Sequence, residues 1–459
     1  MKRPSLVIVA NTLPVRLVRA GQDERWEASP GGLVSALAPI ARREGGAWIG
    51  WTGETNRPRS PFVHDGILNV PVLVSAAEVE GSYEGVCNRT IWPLYHHVVR
   101  PPEYHRHWWR HYVAVNDRFA SLAADMAAPG ALVWIHDYHL QLVPAMLRRQ
   151  RTDVRIGYFH HIPFPPEDLY AHLPWRDQVL AGLLGSDVIG FQTRADARNF
   201  RRVADRLPAV RRERRSVSVD GRSVTVDAYP ISIDTPRYAS VAADPNVVQQ
   251  AELFKAQLGA GRRVFLGVDR LDYTKGIDVR LKAFQELLAT RPETATDSVF
   301  VQVAVPSRER IADYQDIRRQ VEELVGQING QHGQVGTALV HYLHRPLPFE
   351  ELIAIYRAAD VMVVTPLCDG MNLVSKEYVA TQLDDSGVLI LSEFAGAADE
   401  LRTALRVNPH DVDGIAEAMD RAVSMPEREV KRRMRAMRRV VGKHDVHRWA
   451  QRFLSELGQ

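Results

Sequence analysis

Short β-branched runs, each stopping at a polar or glycine-bearing turn and followed by a helical pattern, recur through both halves of this chain, and few folds accept such a pattern. In the first half the runs are 6–10, 47–51, 132–135, 155–159 and 188–191; in the second they are 263–268, 299–303, 338–342, 361–364 and 388–391. Unbroken Val and Ile read as strands buried on both faces, the habit of parallel sheets covered by helices. Helical patterns at 247–258, 279–288, 311–328, 349–358, 396–405, 427–441 and 446–457 fill the intervals. This alternation predicts an α/β protein with two doubly wound parallel sheets. A length of 459 residues also fits two cores better than one. Residues 230–245 carry three prolines and read as a linker. The expected domains are then 1–235 and 246–440, facing each other across a cleft, with a terminal helix in 441–459 packing across their junction. Asp220-Gly221, between alternating residues of 217–229, predicts a hairpin.

A formal charge of +3, with basic residues scattered or on helix faces, argues against nucleic acid as a partner. Cys87 and Cys368 are too few for a disulfide framework and lie in no metal-ligand spacing, which fits a reducing compartment, the cytoplasm. Met1-Lys-Arg3 followed by 6–10 resembles a leader, but its apolar stretch is short and turns polar at Asn11, so it reads as the first strand. No run approaches the ~18 apolar residues of a membrane span.

Chemistry-bearing residues gather where strands end. After 361–364 comes Thr365-Pro-Leu-Cys-Asp-Gly-Met-Asn-Leu-Val-Ser-Lys-Glu377, a turn at Asp369-Gly370 and then a helix from Asn372 to about Thr381. A helix start aims unpaired N–H groups outward and holds an anion without any basic side chain. Asp369 in the turn and Glu377 in the helix would face different parts of one ligand, as a sugar nucleotide requires. Arg270 and Lys275 lie in the loop after 263–268, where both reach a diphosphate and neutralise the charge on a departing nucleoside diphosphate. Gly31-Gly32 before a helical pattern allows a close backbone approach and a second anion contact. Tyr83 and Trp92 are candidates for stacking on a sugar, whose C–H face is apolar. His136-Asp-Tyr-His139 and His160-His-Ile-Pro163 end two further strands, and neither shows the i, i+4 spacing of a helical zinc motif.

Taken together, Asn11-Thr-Leu-Pro14, Gly31-Gly32, Trp92-Pro93, His136-Asp-Tyr-His139, His161-Ile-Pro-Phe-Pro165, Arg270-Leu-Asp-Tyr-Thr-Lys275, Pro306-Ser-Arg308 and Asp369-Gly-Met-Asn-Leu-Val-Ser-Lys-Glu377 resemble trehalose-6-phosphate synthases, in order and over nearly the whole chain. The resemblance implies a GT-B fold of two Rossmann-like domains. It implies retaining transfer of glucose from UDP-glucose or GDP-glucose to glucose 6-phosphate, with no metal and no cofactor, the sugar nucleotide being a substrate. By matching position, Arg270 and Lys275 would hold the donor diphosphate with backbone N–H groups near Gly32, Asn372 and Leu373. Asp369 and His161 would bond the donor glucose, and Glu377 the ribose. Tyr83, Trp92, Asp137 and Arg308 would line the acceptor pocket, with Arg308 on its phosphate.

The chain departs from that pattern at Thr12, where the family carries an Arg that contacts the acceptor phosphate; Arg16 is the nearest basic residue in sequence. Thr12 therefore motivates an alternative, a related GT-B transferase with another acceptor such as a cyclitol or a different sugar phosphate. An inactive sugar-phosphate sensor is a third reading, although a sensor has little need of both Arg270 and Lys275. No strand leads into Gly-x-Gly-x-x-Gly, which disfavours a dinucleotide-dependent dehydrogenase. The sequence leaves open the donor base and a homo-oligomeric state.

Overall fold

The computed structural model describes residues 3–20, 23–29, 32–259, 261–291 and 297–459. They form two compact units, 1–231 with 446–459, and 232–445.

The first unit is built on a ten-stranded sheet. Its strands are β1 (Leu6–Thr12), β4 (Ala47–Thr55), β5 (Phe62–His64), β6 (Ile67–Val74), β7 (Leu132–His136), β8 (Arg155–Phe159), β9 (Val188–Phe191), β10 (Val210–Arg212), β11 (Ser216–Val219) and β12 (Arg222–Ala228). β2 (Val15–Ala20) and β3 (Asp23–Ala28) form a separate antiparallel hairpin that the sequence pattern did not announce. The order in the sheet is β10-β11-β12-β9-β8-β7-β1-β4-β6-β5. From β4 to β9 the core is parallel, and antiparallel strands close each edge. The predicted hairpin is β11–β12, and both Asp220 and Gly221 take positive φ (49° and 74°), as a tight turn with right-handed strand twist demands. After β6 the chain crosses back beside β1 to make β7, so the loops following β1 and β7 flank a topological switch point.

The second unit holds β13 (Arg263–Arg270), β14 (Ser298–Val305), β15 (Val340–Leu343), β16 (Val361–Val364), β17 (Val388–Ser392) and β18 (Leu405–Val407). All are parallel, in the order β15-β14-β13-β16-β17-β18. This is the doubly wound dinucleotide-fold order, with its switch point between β13 and β16. The doubly wound α/β expectation therefore holds in both units.

Two local expectations give way. The stretch 230–245, read as linker, contains the helix Thr235–Ala242 of the second unit, capped by Asp234, whose side chain accepts from the Arg237 N–H. Residues 396–405, read as a helix, make one 3-10 turn, Gly396–Asp399, and then run to edge strand β18. There the Gly396 and Ala397 N–H groups donate to the Asp369 and Met371 carbonyls (3.1 and 2.7 Å), so a partner distant in sequence outbids local propensity. Around Tyr83 the chain winds as a π-helix, Val79–Ile91. It lies against the helix Arg106–Met126, and its Gly81 and Gly85 leave room for His111 and Trp108, which a Cβ would meet at 2.5 Å.

The terminal helix Val446–Leu457 counts with the first unit. Phe453 stacks on Trp134 (centroids 4.7 Å apart), Trp449 meets Phe159 edge-on, and the Trp449 Nε1–H donates to the Tyr229 carbonyl at 3.0 Å.

Candidate active site

At the switch point of the second unit the loop after β13 turns sharply. Asp272 accepts from the Thr274 N–H and hydroxyl (3.0 and 2.8 Å), closing the turn that carries Lys275. Gly276 follows at φ +59°, and a Cβ there would strike the Thr365 carbonyl oxygen. Gly276→Ala is expected to lower the thermal midpoint, because the left-handed conformation alone costs a β-carbon ~1–2 kcal/mol. A midpoint unchanged by scanning calorimetry would contradict this.

Arg280, fully buried, ties the two loops of the crevice together. Its Nη1 lies 2.7 Å from Asp269 Oδ2, its Nε donates to Thr365 Oγ1 at 3.1 Å, and its Nη2 donates to the Lys275 carbonyl at 2.7 Å. The Leu367 N–H also donates to the Thr274 carbonyl at 2.8 Å. Lys275 Nζ thus meets Asp369 Oδ2 at 2.6 Å, while Arg270 ends β13 at the exposed edge. Burial raises the Asp269 carboxyl despite Arg280 and Lys275 nearby.

Asn372 sits at φ 84°; its Oδ1 accepts from the Ser375 N–H at 2.9 Å and its Nδ2 donates to Asp369 Oδ2 at 3.2 Å. It caps the helix Leu373–Thr381, whose first N–H groups have no intrahelical acceptor. Glu377, in that helix, accepts from the Tyr356 hydroxyl at 2.8 Å, and the Tyr238 hydroxyl stands beside it. Burial raises its carboxyl, against the opposing effect of the two hydroxyls. Beyond β14, Arg308 (φ 50°) reaches Asp272 Oδ2 at 3.3 Å and bonds the Tyr314 hydroxyl, which itself donates to Asp272 at 3.0 Å. Burial would raise Asp272, but the Arg308, Arg270 and Lys275 cations outweigh it and hold its carboxyl at about 2. Arg270, Lys275, Asp369, Asn372, Leu373 and Glu377 therefore share one strand-end crevice, with Arg308 joined to it through Asp272.

In the first unit, Thr12, Asp137 and His161 stand at or just past the ends of neighbouring strands β1, β7 and β8. Thr12 is exposed, and its carbonyl accepts from Trp48 Nε1 at 3.0 Å. Asp137 takes φ 75°; its N–H donates to the Phe159 carbonyl at 2.7 Å and its Oδ1 accepts from the His161 N–H at 3.2 Å. The His161 ring faces His136 on Nε2 (3.1 Å) and Gln192 on Nδ1 (3.4 Å). Gln192 Oε1 accepts from the Ile231 N–H at 3.0 Å, so its amide offers N–H to His161. Burial pushes His161 down to about 3, which leaves a neutral imidazole with both nitrogens engaged by protein.

Tyr83 lies parallel to His139 at 5.9 Å and meets Trp51 at 6.2 Å. Trp92 is only 3 % exposed, its ring against His96 (4.1 Å) and Tyr138 (5.8 Å), so its faces are not open for stacking on a sugar. Arg16 points at Glu27 across the β2–β3 hairpin, 3.6 Å away. Gly32 opens the helix Gly32–Arg43, and Gly31 lies outside the described residues. Sequence reasoning missed Arg280, Gln192, Tyr238 and Tyr356. Each acts through a partner far along the chain, and no spacing in a single sequence marks it.

Among the described residues no group of three or more His, Cys, Asp or Glu is placed to hold a metal ion, and no helix is long and apolar enough to cross a membrane.

Two Rossmann-like units, the second with a cationic loop and a helix start at its switch point, define a glycosyltransferase of the GT-B class. The model of glycosyltransferase family 20 matches residues 4–459, and the chain belongs to that family. It is 52 % identical to a trehalose-6-phosphate synthase of Mycolicibacterium smegmatis over 98 % of this chain and 92 % of that one. To the Mycobacterium tuberculosis enzyme of the same name it is 50 % identical, over 98 % and 94 %. A solved E. coli structure with UDP-2-fluoro glucose superposes with a TM-score of 0.90 at 35 % identity, covering 99 % of each chain. A UDP-forming alpha,alpha-trehalose-phosphate synthase from Burkholderia xenovorans in complex with glucose-6-phosphate gives 0.89 at 34 %, covering 99 % and 100 %.

Proposed function

We propose that this chain transfers glucose, with retention, from UDP-glucose to glucose 6-phosphate, giving α,α-trehalose 6-phosphate. The observation that carries the reading is identity of about half the residues, over 98 % of the chain, with trehalose-6-phosphate synthases. The donor half is supported by Arg270 at the end of β13, Lys275 beside Asp369 and the helix start at Leu373, and these are assigned to the diphosphate. As the glucosyl bond breaks, the electron pair stays on the diphosphate, and these cations stabilise the charge. The acceptor oxygen attacks the same face of the sugar and passes its proton to the leaving phosphate. The protein then supplies position and field rather than a base. Asp369 is assigned to the donor glucose and Glu377 to the ribose. His161, whose ring meets His136 and Gln192, is assigned with Asp369 to the donor glucose. Tyr83, Asp137 and Arg308 are assigned to the acceptor. UDP is favoured over GDP because related structures are UDP-forming or hold a UDP sugar.

Thr12 favours a second reading, another acceptor, since Arg16 is turned to Glu27. Initial rates against glucose 6-phosphate, with UDP-glucose and GDP-glucose in parallel, decide between them. The expected result is a saturable rate with trehalose 6-phosphate as product. A folded preparation inactive with every nucleoside diphosphate glucose overturns the reading. Thr12→Arg should lower KM for glucose 6-phosphate by about 10–100-fold, because a charge-assisted phosphate contact contributes ~1.5–3 kcal/mol. A parent that saturates only when given that Arg points to a different acceptor.

A further inference from the structure

Glu377 is held from two other helices of the second unit. Tyr356, in Phe349–Ala358, donates to Oε2 at 2.8 Å, and the hydroxyl of Tyr238, in Thr235–Ala242, stands beside the carboxylate. Neither ring is free to drift. Tyr356 is fully buried edge-on to Tyr378 (6.4 Å, 74°), and Tyr238 meets Phe349 edge-on (5.2 Å, 81°). Hydroxyl donors of this kind orient a carboxylate without neutralising it, and each oxygen keeps a lone pair for a further donor. A cation in their place would compete with any neutral ligand. The two phenols also favour the ionised, acceptor-only form, in opposition to burial, which raises the carboxyl.

A ribose diol presents two adjacent hydroxyl donors, and an ionised carboxylate locked in one plane is its complement. We propose that Tyr356 and Tyr238 are positioning residues that fix the Glu377 carboxylate and so make the enzyme select ribonucleoside over 2′-deoxyribonucleoside diphosphate sugars. The inference rests on the reading of Glu377 as the ribose contact. A site built to accept from a hydroxyl rejects the analogue lacking it far more strongly than an apolar pocket rejects a missing methylene, because buried acceptor capacity is left unpaired. A carboxylate free to rotate recovers solvent or another partner and loses that discrimination.

The test compares kcat and KM for UDP-glucose and 2′-deoxy-UDP-glucose in the parent, Tyr356→Phe, Tyr238→Phe, the double variant and Glu377→Gln. Phenylalanine keeps the ring, and thermal midpoints confirm folding. The parent should prefer the ribo donor by about 100-fold or more in kcat/KM. Each Phe variant should lose about tenfold of that ratio through a raised KM for UDP-glucose, with kcat little changed and the deoxy donor nearly unaffected. The double variant should approach Glu377→Gln. Equal losses on both donors show a merely structural role and overturn the proposal. An unchanged ratio in the Phe variants, with the ratio collapsed in Glu377→Gln, overturns it while sparing the ribose reading. An unchanged ratio in Glu377→Gln overturns both.

Discussion

Lys275→Met is expected to lower kcat by about 10²–10³-fold, the usual cost of removing one group aimed at charge that develops in the transition state. Lys275 Nζ lies 2.6 Å from Asp369, in the same crevice as Arg270, and on the proposed reading it faces the departing diphosphate. Methionine keeps the length and apolar stem and removes only the ammonium. The substitution also removes the cation 2.6 Å from the Asp369 carboxylate, which disturbs the loop as well. Lys275→Met/Asp369→Asn tests the stability of the loop alone, because Asp369 is itself assigned to the donor glucose. The double variant should recover thermal stability, since no uncompensated charge is left. Steady-state rates at saturating acceptor and calorimetry on both variants read this out. A single variant within threefold of the parent kcat would remove Lys275 from the chemistry.

Arg280→Met has the largest expected effect on stability. The side chain is 0 % exposed and its partner Asp269 only 3 %, so the substitution leaves a buried carboxylate without its nearest cation. Breaking a buried pair from one side costs ~3–5 kcal/mol. At roughly 2–4 °C per kcal/mol for a domain of this size, the thermal midpoint of the second unit should drop by about 6–20 °C. Burial already raises the Asp269 carboxyl, and losing Arg280 raises it further. The folded state then binds a proton that the unfolded state has released, so stability is fuller at low pH and is lost as pH rises through the folded value. The deficit of Arg280→Met should therefore narrow on going from pH 8 to pH 5. Arg280→Met/Asp269→Asn should regain much of it at pH 8, and a deficit independent of pH would contradict the assignment. Catalysis suffers as well, because Arg280 also holds the Lys275 carbonyl at 2.7 Å.

Much of the donor crevice is written in local pattern. Val361–Val364 is an apolar run, Asn372 a capping residue, and Leu373–Thr381 the helix that follows, each legible within a dozen residues. The helices Phe349–Ala358 and Val446–Leu457 fall where their periodicity places them. Once β13 and β16 are neighbours in a parallel sheet, Arg270, Lys275, Asp369 and Glu377 must meet at the strand ends, since loops after adjacent strands share one edge. The sequence determined these because hydrophobic period and capping are short-range properties of the chain.

Only the tertiary structure decided the rest. Trp92 carries the same letters whether it faces a sugar or lies between His96 and Tyr138. Residues 396–405 have helical composition, yet the turn around Asp369 takes their N–H groups and sends the chain to an edge strand. The Arg280–Asp269 pair, the Tyr238 and Tyr356 hydroxyls on Glu377, and the Gln192 amide on His161 join positions that lie apart in the chain. Which buried polar group answers which depends on where the folded backbone sets their atoms. A hydrogen bond is won or lost over less than an ångström, a distance no spacing in one sequence encodes.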